Sequence, residues 1–191
     1  MAQAIQKLQE KTPEPTAMPT PSIEPAPTPT AKPAAPKAKA ESNQGVKVSA
    51  ATPAIIKPLR PLEGEVLRPF SPAEPVYFPT LNEWMVHMGI DIIAAEGADI
   101  MAALDGTVES LGQEAGTGLT AILTHSDGKK TVYGNLFSLD GLKKGQEIKR
   151  GTIIGKVGRS ANSTLTDPAH LHFEYHEGGK AVNPADYWQA P

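Results

Sequence analysis

Residues 168–176 read PAHLHFEYH. His170, His172 and Glu174 alternate with Leu171, Phe173 and Tyr175. Side chains of a strand point to opposite faces with period two, so this is a strand with one apolar face and one face of imidazoles and a carboxylate. The apolar face asks for a core; the other face asks what the histidines hold.

Outward from this strand, the chain keeps the same texture from about Ala54 onward. Short runs of Val, Ile, Leu and Thr alternate with Gly- and Asp-rich punctuation every 8–12 residues, the pattern of an all-β domain. TAILTH, SDGKK and TVYGNLF form a hairpin turning at Asp127-Gly128, and HFEYH, EGGK and AVNP form another across Gly178-Gly179. DIMAAL, GTVESLG, QEIKRG and TIIGKVG supply further strands, and one helical turn is expected near 80–85. The expectation is a β-sandwich or barrel-like domain of mostly antiparallel strands over residues 54–191, long enough for a single core.

Residues 1–53 differ. KTPEPTAMPTPSIEPAPTPTAKPAAPKAKAE (11–41) is built of Pro, Ala, Thr, Lys and Glu, and the first aromatic in the chain is Phe70. With nothing large to bury, such a segment does not offset the entropy of ordering, so a disordered, polyproline-like spacer is expected. MAQAIQKLQE (1–10) reads as a short helix of marginal stability. A long spacer suggests an anchor before Met1, so contact with a membrane is expected only through a segment absent from this sequence. No apolar run of the roughly 18–20 residues a membrane span needs occurs. The 191 residues carry a net charge of −3 and no cysteine, which excludes disulfides and thiolate metal sites and argues against nucleic-acid binding.

A second motif, HMGID (87–91), offers His87 and Asp91 as zinc-competent ligands. Along a straight strand their Cα atoms would stand about 13 Å apart, so a bend at Gly89 is expected, with Asp91 opening the next strand. One His and one Asp from here plus one His from HLH make three ligands for one zinc ion. The fourth position stays open for water, as in catalytic sites. Spacing leaves open whether His170 or His172 ligates. Glu174 reads either as the group that orients a ligand or as a solvated carboxylate near a strand end. His176 reads as a surface residue and His125 as a structural one.

HMGIDI, GADIMAALDGTV, VYGNL, KKGQEIKRGTIIGKVG and DPAHLHFE, in that order over residues 62–188, resemble the LytM/lysostaphin-type zinc metallopeptidases, whose fold is the duplicated hybrid motif. The resemblance implies His87, Asp91 and His172 as zinc ligands and His170 as a catalytic histidine. It implies peptidoglycan peptides as substrate and an extracytoplasmic place in the bacterial cell envelope. The pattern breaks at VYGNLF, where such enzymes carry a second catalytic histidine and this chain has Asn135. Asparagine donates hydrogen bonds but does not take or relay a proton near neutral pH. The metal set is therefore expected to be intact and the catalytic pair degenerate. PVYFPTLNEWMVHMGIDI upstream is similar to the branch around stage II sporulation protein Q, which implies an assembly scaffold with another envelope protein as partner. The alternative is an active zinc endopeptidase in which His170 suffices, with Asn135 or Tyr133 as oxyanion donor.

Overall fold

The computed structural model describes residues 56–188. The expected spacer over 1–53 and the short helix at 1–10 lie outside the described residues. Twelve strands are present among the described residues: β1 Val66–Arg68, β2 Ser71–Phe78, β3 Glu83–His87, β4 Ile90–Ile93, β5 Asp99–Met101, β6 Gly106–Glu114, β7 Gly118–Thr124, β8 Lys130–Gly134, β9 Glu147–Ile148, β10 Ile153–Lys156, β11 His170–Glu177 and β12 Lys180–Val182. The domain is all-β and its ladders are antiparallel.

One large sheet runs in the order β1-β4-β11-β8-β7-β6-β9, with β12 on β11; β5–β10 and β2–β3 form two small sheets. The opening strand lies near its middle. Its Leu171, Phe173 and Tyr175 are buried beside Ile90 and Ile92 of β4 and Tyr133 of β8. Ile100 of β5 and Ile154 of β10 join the same cluster, so the small sheet closes the far side of the core. Burying large apolar side chains on one face supplies most of the drive to fold, and it fixes which way each strand faces.

Both hairpins expected from the sequence are present. β7 and β8 are joined through Ser126–Gly128, where Asp127 and Gly128 adopt φ of 65° and 70°, the left-handed pair such a tight turn requires. β11 and β12 pair from Tyr175↔Val182 to Glu177↔Lys180. The helical turn expected near 80–85 is absent. Residues 79–82 instead form the turn of the β2–β3 hairpin, with Asn82 at φ 55°. The tip is held by a hydrogen bond from the Tyr77 hydroxyl to Asn82 Oδ1 at 2.7 Å. That local bond, together with the cross-strand contact of Tyr77 with Trp84, favours a hairpin over a helix.

Candidate metal centre

Four strands meet along one row of the sheet. Arg68 of β1 lies opposite Asp91 of β4, Asp91 lies opposite His172 of β11, and His172 lies opposite Gly134 of β8. Directly opposed residues share a face and meet. His87, the last residue of β3, enters from the side. The bend that follows spans Met88 and Gly89, as expected, but its glycine serves a different need from the one anticipated. A Cβ on Gly89 would stand 2.6 Å from the Phe173 carbonyl oxygen and 2.9 Å from the His172 ring. Glycine is required there because the chain passes directly over β11.

The donor atoms converge. His87 Nε2 is 3.2 Å from Asp91 Oδ1 and 3.2 Å from His172 Nδ1, and His172 Nδ1 is 2.9 Å from Asp91 Oδ1. Tetrahedral ligands at zinc distances of about 2.0–2.1 Å sit roughly 3.3 Å from one another, so two imidazole nitrogens and one carboxylate oxygen in this triangle fit such an ion. Hydrogen bonds on the outer sides fix the tautomers. His87 Nδ1 donates to the Pro69 carbonyl at 2.9 Å, and His172 Nε2 donates to Glu174 Oε1 at 3.0 Å. Each ring therefore turns its other nitrogen toward the common point.

The electrostatics follow from these contacts. Burial opposes ionisation of Asp91, but hydrogen bonds from His172 and His87 hold its carboxyl well below the usual range. Burial would likewise lower His172, yet its bonds to Asp91 and Glu174 raise it to about 9. Glu174 is pushed up by burial but brought down to about 2 by His172 and His176. Glu174 is not solvated alone: its two oxygens accept hydrogen bonds from His172 and His176. His176 departs from its expected place at the surface. It is half-buried and its Nε2 donates to Glu174 Oε2 at 2.6 Å, because Glu174 bridges the gap between histidines four residues apart. His125 is structural, with ring contacts of 2.8 Å to the Asp105 carbonyl and 2.8 Å to the Thr131 hydroxyl.

His170 lies one step off the row, opposite Ile93 rather than Asp91. Its Nδ1 donates to the Pro168 carbonyl at 2.7 Å, which leaves Nε2 as an acceptor. Asn135 is 2% exposed and engaged at both ends of its amide. Nδ2 donates to the His170 carbonyl at 3.0 Å and lies 3.4 Å from His170 Nε2, and Oδ1 accepts from Ala161 N–H at 3.0 Å. Tyr133 does not reach the site. Its hydroxyl accepts from Ala103 N–H at 2.8 Å within the core, so it supplies no oxyanion donor. The cleft at the triad has a volume of about 190 Å³, and its walls include Phe78, Met85, Val86, Met88, Ser163 and Thr164.

Arg68 and Asp167 went unread in the sequence. Arg68 Nη1 donates to Asp91 Oδ2 at 2.9 Å, and Nη2 donates to Asp167 Oδ2. The available signal was an arginine in a short strand segment, VLRPF, and an aspartate in a quoted motif with no role given to it.

Residues 85–184 match the family model described as peptidase family M23. The chain belongs to peptidase family M23. Within this family, it is 34% identical over 123 residues to an uncharacterized metalloprotease of Haemophilus influenzae, covering 64% of this chain and 25% of that protein. It is 31% identical over 112 residues to stage II sporulation protein Q of Bacillus subtilis, covering 58% and 39%. The chain thus spans a quarter to two-fifths of the length of these relatives. Among solved structures, the SpoIIQ–SpoIIIAH pore-forming complex matches with a TM-score of 0.62 and 25% identity, over 72% of this chain and 94% of that one.

Proposed function

We propose that this M23 domain binds one zinc ion through His87, Asp91 and His172, is directed at peptidoglycan peptides in the bacterial cell envelope, and is impaired as a peptidase. In this reading it serves envelope or sporulation assembly as a scaffold. The observation that carries it is a contrast between the ligand triangle and the surroundings of His170. Three donor atoms stand 2.9–3.2 Å apart with their other polar atoms already bonded, while Asn135 occupies the position of an expected proton carrier.

Zinc, when bound, supplies Lewis acidity toward a carbonyl and lowers the pKa of coordinated water. The chain's own residues do the rest. His170 holds an acceptor nitrogen at the cleft wall and is able to take a proton. Asn135 cannot share that work, since both ends of its amide are committed and neither titrates. General acid–base help is typically worth about 10²–10⁴-fold, so a residual rate lower by that factor is expected. A partner protein is supported by the likeness to a domain solved in complex with SpoIIIAH and by the exposed Tyr77, Trp84 and Val86 of the β2–β3 hairpin. Among the described residues no helix is long and apolar enough to cross a membrane, so the envelope placement rests on the relatives.

The second reading is an active endopeptidase, favoured by the correctly tautomerised His170 beside the open cleft. Metal content of the purified protein, measured together with digestion of isolated peptidoglycan, decides between them. One zinc per chain with digestion some 10²-fold or more below active members is expected. Full-rate digestion ends the scaffold reading, and a protein that takes up no zinc from excess metal ends both.

A further inference from the structure

The guanidinium of Arg68 reaches into the candidate metal centre with one nitrogen and out of it with another. Nη1 holds Asp91 Oδ2 at 2.9 Å, while the other oxygen of the same carboxylate, Oδ1, faces the nitrogens of His87 and His172. Nη2 holds Asp167, three residues before His170. The Phe78 ring, part of the cleft wall, covers the guanidinium with its centroid 4.4 Å from Cζ. Arg68 is 6% exposed, so water does not compete for these bonds.

A carboxylate beside a divalent ion binds through one oxygen or through both. A cation fixed on the second oxygen removes the two-oxygen mode. We propose that Arg68 is the positioning residue that keeps Asp91 a one-oxygen ligand, and that it ties this ligand through Asp167 to the segment leading into β11. The inference rests on the metal-site reading above. An arginine suits the task because its planar fork serves two carboxylates at once, whereas an ammonium is a single point of charge. Register supports the same reading: Arg68 and His172 flank Asp91 on its two neighbouring strands, so one carboxylate is addressed from both sides along one row. Removing groups that orient a ligand in this way commonly lowers metal affinity by about 10–100-fold.

A plain structural ion pair would change stability and leave the metal's surroundings untouched, so the test reads the ion. Cobalt(II) replaces zinc in the full chain, and its visible d–d bands report coordination number, four-coordinate cobalt absorbing far more strongly than five-coordinate. Arg68→Met keeps the bulk of the stem and removes the fork. Its cobalt bands are expected to weaken several-fold relative to the native chain as Asp91 closes on the ion with both oxygens. Zinc affinity by chelator competition is expected to fall about 10–100-fold. Arg68→Lys should fall between the two, and it carries the same readout if circular dichroism shows Arg68→Met unfolded. Folded variants whose cobalt bands and zinc affinity equal those of the native chain overturn the proposal while leaving the metal site standing. A native chain that takes up neither ion overturns the metal site, and the role of Arg68 with it.

Discussion

His170 and His172 stand two residues apart on the same face of β11, and both are buried, yet their inward nitrogens meet different company. His172 Nδ1 faces another ring nitrogen at 3.2 Å and a carboxylate oxygen at 2.9 Å, so the donor atoms of three side chains converge. His170 Nε2 faces the amide of Asn135, a donor that is itself held by a carbonyl and a backbone N–H. The first cluster is left open toward one point. The second is closed upon itself. Buried polar groups normally find partners, and the first cluster is the one whose ligand atoms lie close enough together to take an ion as theirs.

The largest expected effect tests the open cluster. His172→Ala removes the nitrogen shared by both short contacts and leaves two ligands on adjoining segments. Loss of stoichiometric zinc binding is expected, measured by metal analysis after dialysis, because a two-ligand remnant holds the ion poorly. Retention of one ion per chain would break the contrast, since His170 would then be ligating in its place.

The closed cluster comes next. Asn135 sits at φ 60°, a left-handed backbone that histidine also tolerates better than most residues. An imidazole reaches farther than a carboxamide and restores a group that titrates near neutrality. Asn135→His is expected to raise peptidoglycan hydrolysis by about 10²-fold or more. An unchanged rate, measured by release of soluble muropeptides from purified sacculi, would assign the impairment to the cleft walls instead.

A smaller effect sharpens the electrostatic side. His172 is raised to about 9 in the metal-free chain, so below that pH an incoming ion must displace a proton from Nδ1. Zinc affinity should rise about tenfold per pH unit between roughly 7 and 9 and level off above. In the metal-free chain the sign is reversed: the raised pKa contributes stability that is full below 6.5 and lost as pH climbs through about 9. Chelator competition across this range reads the first trend and thermal melting of the zinc-free protein reads the second. A flat affinity profile would mean that Asp91 and Glu174 do not hold the proton on His172.

Much of this was legible before any coordinates. PAHLHFEYH announces its two faces by alternation, and Leu171, Phe173 and Tyr175 are buried in the core as their parity requires. The Asp127-Gly128 and Gly178-Gly179 turns mark their hairpins because a left-handed backbone is a local demand that few residues meet. The β2–β3 hairpin was missed because TLNEW lacks a glycine at its turn and Asn82 took the left-handed position instead. Arg68 was missed because an arginine in a strand gives no hint of which row it will join.

The difference is one of range. Which face a residue takes depends on period two along one strand, a property of neighbours in sequence, and so the ring of candidates could be named from the chain itself. Which candidates meet depends on register between residues 81 apart in the chain, set by how the apolar faces pack. One rung of the sheet, running Arg68, Asp91, His172, Gly134, places His172 against the carboxylate and leaves His170 opposite Ile93. A slip of two residues would preserve every face and exchange the two histidines, and packing of the opposite, apolar side of the same strands is what prevents it.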